Sequence, residues 1–210
     1  MDADLTHTGD GMLSPESLLS AYANGIFPMA DASGRIAWYS ADPRGIIPLD
    51  GFHVPGTLRQ LVKKPPVLGG FEVRINHDFA AVMRACMEAR AGRTWINPPL
   101  IAAYHHLHKL GFAHSVECWQ DGKLAGGLYG VSLGGAFFGE SMFHHVRDAS
   151  KVALVHLVNR LRQRGFRLLD AQATTEHLRR FGCIDIPASE YRRLLHGAIT
   201  YECAFVDPPA

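Results

Sequence analysis

The stretch SVECWQDGKLAGGLYGVSLGGAFFGESMF, Ser115 to Phe143, decides the fold. Ser115 to Gln120 reads as a strand, and Asp121-Gly122 is a strong two-residue hairpin turn. Lys123 to Leu133 is the return strand, Gly134-Gly135 turns again, and Ala136 to Phe143 makes a third strand. The glycine-rich run from Gly126 to Ser141 invites a phosphate-loop reading, but it holds no G-K-[ST]. Its glycines lie within and between strands rather than at one strand-to-helix turn. Glycines so placed mark bulges or close approaches to the backbone.

Outward from this meander the punctuation stays sharp. On the C-terminal side, Asp148 or Ser150 caps a long helix to Arg164, apolar at Leu154, Leu157, Val158 and Leu161 and closed by Gly165. Leu168 to Gln172 is a strand, and Thr174 or Thr175 caps a helix that Gly182 ends. On the N-terminal side, Asn97-Pro98 opens a helix with Leu100, Ile101, Tyr104 and Leu107 on one face and Gly111 past its end. Phe71 to Ile75 suits a strand and Phe79 to Ala89 a helix. A short helix near Thr57 to Lys64 stops at Pro65-Pro66, and Ser14-Pro15 opens another through Tyr22. Ile26 to Arg44 reads as loop. These patterns predict a small N-terminal subdomain over 1–68 and a catalytic domain over 69–210. The element order predicts an α/β protein, a mixed sheet with helices on both faces, matching a GNAT-like acyltransferase core.

With 47% hydrophobic and 20% charged residues in 210, the chain can bury a sizeable core. The net charge of +1 excludes a protein that coats long stretches of nucleic acid, so any such contact is local. Cys86, Cys118, Cys183 and Cys203 stand far apart with no C-x-x-C pair, which predicts reduced thiols and a cytoplasmic setting. Met1 to Asp10 lacks a secretory pattern, and no apolar run approaches the roughly 18 residues of a membrane span. His105, His106, His108 and His114 cluster without a Cys, Asp or Glu at ligand spacing, so neither metal nor cofactor is expected. Ser141 sits in G-E-S-M rather than in a nucleophile elbow.

Two strand segments carry candidate chemistry. Period two puts Phe138, Glu140 and Met142 on one face, where a carboxylate is costly unless it meets a cation or hydrogen-bond donors. Asp170 and Gln172 share a face near the end of an apolar strand, where ligands gather in open sheets. A turn-forming Asp with a surface Gln is the bland alternative. Basic residues bunch at Arg160, Arg162, Arg164 and Arg167, at Arg179-Arg180 and at Arg192-Arg193, usually a sign of solvated helix faces.

Read together, these residues resemble the leucyl/phenylalanyl-tRNA–protein transferase family. The matching stretches are LLSAYANGIFPM (18–29), WYSADPR (38–44), TWI (94–96) and AAYHHLHKLGFAHSVECW (102–119). LAGGLYG (124–130), FFGESMF (137–143), Ala149-Ser150-Lys151 and LLDAQ (168–172) complete an ordered series across about residues 10 to 200. The resemblance implies transfer of Leu, Phe or Met from the 3′ aminoacyl-adenosine end of a charged tRNA to proteins beginning with Arg or Lys, marking them for degradation. It implies a monomeric enzyme with no cofactor and no membrane partner. Carried over by residue, Asp170 and Gln172 match the pair proposed to assist amine attack, and Glu140, Met142 and Trp95 match substrate-site residues. Leu128, Leu154, Leu157 and Leu161 fall where the family builds its apolar side-chain pocket. Trp38 and Met29 fall in the segments that meet the terminal adenosine. Met29 stands where members commonly carry Trp, Tyr39 replaces the second aromatic of a pair, and Ala171 replaces a Cys. A CoA-dependent acetyltransferase would need a glycine-rich pyrophosphate segment where this chain reads HVRDAS, 145–150, with no glycine. Asp170→Asn is expected to slow transfer with little effect on stability.

Overall fold

The computed structural model describes residues 13–90, 92 and 94–207. Met1 to Asp10, on which the expectation of no secretory signal rests, lies wholly outside them. Helix α1 (Pro15–Ala23) starts as expected, with Ser14 accepting from the Ser17 amide. A two-stranded ribbon follows, β1 (Phe27–Ala30) against β2 (Ile36–Tyr39), and then β3 (Arg44–Ile46). The loop predicted over Ile26 to Arg44 is thus replaced by three short strands. Each is four residues or fewer, too short for period-two patterning to show against Pro, Gly and Asp. Next come α2 (Gly56–Val62), β4 (Glu72–Ile75), α3 (Phe79–Glu88) and α4 (Pro98–Lys109). The meander is β5 (Ala113–Gln120), β6 (Lys123–Leu133) and β7 (Ala136–His144), followed by α5 (Ala149–Gln163) and β8 (Leu168–Gln172). The chain then forms α6 (Glu176–Arg179), β9 (Ile184–Ile186) and α7 (Ala188–Ile199).

Seven strands make one sheet in the order β4-β5-β6-β7-β8-β3-β9, in which β7 and β8 run parallel and the other neighbours antiparallel. Helices cover both faces, the mixed α/β arrangement expected. One face holds Tyr129, Val131, Phe138 and Phe143 against Leu18, Val82, Leu100, Tyr104 and Tyr191 of α1, α3, α4 and α7. The other holds Val116, Leu128, Phe137 and Leu169 against α5 and Leu58 of α2. Strand β3 belongs to the segment predicted as an N-terminal subdomain, yet it runs between β8 and β9 in the main sheet. Among the described residues no helix is long and apolar enough to cross a membrane.

Strand β7 departs from simple alternation, and the departure corrects one expectation. Tyr129 pairs with Ser141 but Gly130 pairs with Gly139, so Glu140 is the extra residue of a β-bulge. Beyond it the faces exchange. Phe138 and Glu140 look toward α1 and α4, whereas Met142 packs with the α5 side. The predicted sharing of one face by Phe138, Glu140 and Met142 therefore fails at Met142. Gly130 is required opposite the bulge, because a Cβ there would stand 2.3 Å from the Phe138 carbonyl oxygen.

Strand β3 is fastened by charge as well as by its ladder. Arg44, 1% exposed, donates from Nε and Nη2 to the two carboxylate oxygens of Asp170, itself fully buried, at 2.9 and 2.6 Å. Its Nη1 reaches the Gly25 carbonyl at 2.9 Å, and the guanidinium lies over the rings of Phe27 and Tyr191. Tyr191 of α7 donates its hydroxyl to Asp170 at 2.6 Å. Removing one partner of such a pair strands the other charge in the interior. Arg44→Met and Asp170→Asn are each expected to lower unfolding free energy by about 3–5 kcal/mol in urea titrations. This reverses the sequence-based expectation that Asp170→Asn leaves stability alone. The double variant Arg44→Met/Asp170→Leu should recover part of the loss. Strictly additive losses would show that the two side chains do not depend on one another.

Candidate active site

Pairing between β7 and β8 stops at Phe138 and Asp170. Past that point the bulge diverts β7, and β8 ends at Gln172, whose φ of 61° lies in the left-handed region. A non-glycine residue holds that conformation at a cost that neighbours must offset. Here Asp170 Oδ1 accepts from the Gln172 amide at 2.7 Å, so the carboxylate that anchors Arg44 also sets the strand end. Gln172 then turns its side chain across the gap and donates from Nε2 to Glu140 Oε1 at 3.0 Å. Asp170 and Gln172 do lie on one side of the sheet. They differ in kind, since Asp170 is engaged on both oxygens and Gln172 is part-buried.

Glu140 meets donors rather than a cation. Tyr22 of α1 donates to Oε1 at 2.7 Å and shares a short hydrogen bond with Tyr104 of α4, whose hydroxyl lies 3.5 Å from Oε2. Burial pushes the Glu140 carboxyl up to about 7. The hydrogen bonds from Tyr22 and Gln172 pull it down, Asp170 pushes it up, and Arg44 pulls it down. Burial also raises both tyrosines well above their ordinary value, so they stay neutral donors. The result is a carboxyl group poised near neutrality beside an amide whose oxygen has no hydrogen bond among the described residues. That pair can bind an amine, orient it and take a proton from it.

The apolar candidates assemble on the opposite face. Leu128 of β6 pairs across the ladder with Met142, and Leu154, Leu157 and Leu161 of α5 lie in the same cluster. The four leucines are buried, and Met142 is the partly exposed member. Met142 also lines a cavity of about 430 Å³ at the start of α5. The bulge is what lets one strand send Glu140 to the polar side and Met142 to the apolar one.

The N-terminal candidates Trp38, Met29 and Trp95 all pack against the first core cluster. Across the β1–β2 ribbon Trp38 opposes Pro28 and Met29 opposes Ala37, so Trp38 and Met29 point to opposite sides. Trp38 lines an open cavity with Ser20, Asn24 and Ile26. Trp95 packs against the first core and accepts from the Ala30 amide through its carbonyl, which ties the ribbon down. The arginine clusters are largely committed. Arg160 and Arg162 donate to the carbonyls of Phe205 and Leu49, and Arg164 pairs with Asp207. Arg179 and Arg180 pair with Asp185 and Glu176. His108 donates from Nδ1 to the Ala113 carbonyl and stacks on Phe79, so this histidine braces α4. Among the described residues no three His, Cys, Asp or Glu are placed to hold a metal.

Sequence reasoning missed Arg44, Tyr22, Tyr104 and Tyr191. Arg44 lay inside a quoted segment, and Asp170 is 126 residues away from it. No spacing rule links them. The need of a buried carboxylate for a cation was a usable signal, and it was applied to Glu140 rather than to Asp170.

Comparison with known proteins shows the family. Residues 46–196 match the family described as leucyl/phenylalanyl-tRNA protein transferase, and residues 11–42 match its N-terminal domain. A protein of that name from Phenylobacterium zucineum is 56% identical over 192 residues, 90% of this chain and 85% of that protein. Its counterpart in Salinibacter ruber is 53% identical over 188 residues, 89% of this chain and 80% of that one. In Rhodopseudomonas palustris the figures are 52% over 201 residues, 94% and 88%. Among solved structures, a ribosomal-protein-alanine N-acetyltransferase from Brucella melitensis aligns at a TM-score of 0.40 and 17% identity, over 67% of this chain and 96% of that chain. L-PGS from Bacillus licheniformis aligns at 0.46 and 12% identity, over 89% and 70%. Matched over most of its length by both family regions and by relatives more than half identical, the chain belongs to the leucyl/phenylalanyl-tRNA protein transferase family.

Proposed function

We propose that this enzyme moves Leu, Phe or Met from aminoacyl-tRNA to the α-amine of proteins that begin with Arg or Lys, marking them for degradation in the cytoplasm. The observation that carries the reading is the meeting of Gln172 and Glu140 across the unpaired ends of β7 and β8. The amine nitrogen attacks the ester carbon that joins the amino acid to the terminal ribose. A C–N bond forms, the C–O bond breaks, the amine gives up a proton, and the ribose oxygen gains one. An α-amine has a pKa near 8, so only about a tenth is neutral at pH 7. Gln172 accepts from the amine through its free oxygen while its nitrogen holds Glu140. Glu140, ionised above neutrality, takes the proton and suits a cationic N-terminal residue. Asp170 acts through others, fixing the Gln172 backbone and charge-pairing with Arg44. Since the ester is already activated, positioning supplies most of the acceleration.

The donor side chain enters the set formed by Leu128, Met142, Leu154, Leu157 and Leu161. Trp95, Trp38 and Met29 contribute to holding the rest of the substrates, with Trp38 and Met29 on separate sides of their ribbon. The catalytic unit works as a monomer without cofactor or metal, and no membrane partner is invoked.

A transfer assay with radiolabelled Leu-tRNA and a protein beginning with Arg tests the reading directly. Gln172→Ala should lower kcat/KM by about ten- to a thousandfold while binding of a non-reactive aminoacyl-adenosine changes little. Near-normal turnover of that variant would end the role given to Gln172. For the donor pocket, Leu157→Ala should weaken preference for Leu over smaller residues, with about 1–3 kcal/mol at stake. Competition among Leu-, Met- and Ala-tRNA measures it, and unchanged selectivity would remove Leu157 from the pocket.

Glu140 also makes a pH prediction. Its carboxyl is raised in the folded chain, so its contribution to stability is full below the ordinary Glu value near 4.5 and is lost as pH rises through about 7. Glu140→Gln should therefore gain on the parent between pH 5 and pH 8, by about 1–3 kcal/mol. Parallel thermal-midpoint curves over that range would contradict the raised value.

A further inference from the structure

The cavity of about 430 Å³ at the start of α5 is lined by Met142, His144, Arg147, Asp148, Ser150, Lys151 and His177. Five of these seven can carry or share a proton with an anion, and one is acidic. Asp148 pairs with Lys151 at 2.6 Å and approaches Arg147 at 3.6 Å, so it offsets part of the positive charge. Arg180, farther along α6, is paired with Glu176.

Three independent features point to an anionic ligand. Ser150 is 5% exposed and lines the cavity, yet its hydroxyl has no hydrogen-bond partner among the described residues. A hydroxyl at a cavity wall with no protein partner is free to donate to a ligand acceptor. Second, α5 runs for 15 residues and presents its N-terminus there, while its N-cap residue Asp148 makes no side-chain cap bond. Ala149 donates to Val146 and Val152 to Asp148, so the Ser150 and Lys151 amides between them receive no cap. Uncapped amides at a helix start favour an anion. Third, His177 is held below its ordinary value by burial and then by Lys151, Arg180 and His144. Crowded cations of this kind are relieved by a bound anion.

The cavity also lies at the right place. Met142 belongs both to its wall and to the apolar set under α5, and Leu154 stands one turn beyond Ser150 on the same helix. A donor whose side chain reaches Leu154 and Leu157 leaves its ribose and the attached phosphate at the mouth of that set.

We propose that this cavity binds the phosphodiester that precedes the terminal adenosine of the donor tRNA. Ser150 and the first amides of α5 donate to its oxygens, and Lys151, Arg147 and His177 supply charge. This rests on the aminoacyl-tRNA reading above. It gives the enzyme a handle on the donor that is independent of base identity.

The test uses the full chain and a non-reactive donor in which Phe is joined by an amide to 3′-amino-3′-deoxyadenosine. One form carries a 5′-hydroxyl and the other a 5′-phosphate methyl ester, compared by calorimetry at low salt. The esterified form should bind about tenfold more tightly. Ser150→Ala and Lys151→Gln should each erase most of that gain while leaving affinity for the 5′-hydroxyl form unchanged. Asp148→Asn, which removes the competing carboxylate, should enlarge the gain. The His177 ring, followed by NMR, should titrate at higher pH when the esterified form is bound. If both forms bind equally, or the gain survives both Ser150→Ala and Lys151→Gln, this site is wrong and the transferase reading stands. If neither form binds, the two readings fall together. If inorganic phosphate alone shifts His177 as fully as the esterified form does, the cavity is a site for free phosphate and the assignment to tRNA fails.

Discussion

The buried pair of Arg44 and Asp170 is the constraint on which the rest depends. It joins β3 to β8 through charge, reaches the turn after α1 through the Gly25 carbonyl, and draws in α7 through Tyr191. Four parts of the chain thus meet around one ion pair. A buried ion pair is a weak source of net stability, because desolvation takes back most of the attraction. Its effect is on specificity of arrangement. With both oxygens engaged, Asp170 has one remaining task, which is to hold the Gln172 amide and thereby aim the Gln172 side chain.

The two carboxylates of the site are thus set to different ends by their partners. Asp170 has a guanidinium, a phenol and an amide, and it serves as a fixed negative charge. Glu140 has two phenols and a primary amide but no direct cation, so burial dominates and its proton is exchangeable near neutrality. A carboxyl group raised toward neutrality by burial is a common means of running proton transfer at physiological pH.

Much of the architecture was legible in the chain. The Asp121-Gly122 turn, the Ser14-Pro15 and Asn97-Pro98 helix starts, and the apolar stripe of α5 all express local chemistry, and all fold as read. Asp148 begins α5 as read but does so without a capping bond, since its carboxylate turns to Lys151. Strands β1 to β3 and helix α7 were not read. The strands are too short to show a period, and α7 begins after Pro187 without a side-chain cap. In the candidate site, LLDAQ and GESMF flagged β8 and β7, whose ends meet through Gln172 and Glu140, because polar residues interrupt apolar runs. What the pattern could not hold was the bulge, since an extra residue is defined only by its partner strand. For the same reason the face of Met142 was misassigned, and the partner of Asp170 stayed hidden.

The bulge at Glu140 has a consequence for how such an enzyme changes over time. A regular strand ties the two sides of a sheet together, so that a shift made to suit one ligand disturbs the other. By turning the strand over between Glu140 and Met142, the extra residue leaves the proposed acceptor chemistry to one face and the proposed donor packing to the other. Drift among the leucines under α5 can then retune which amino acid is carried without rewriting the polar face. The irregularity works as a joint between two trades, and a lineage can revise either one while keeping the other in service.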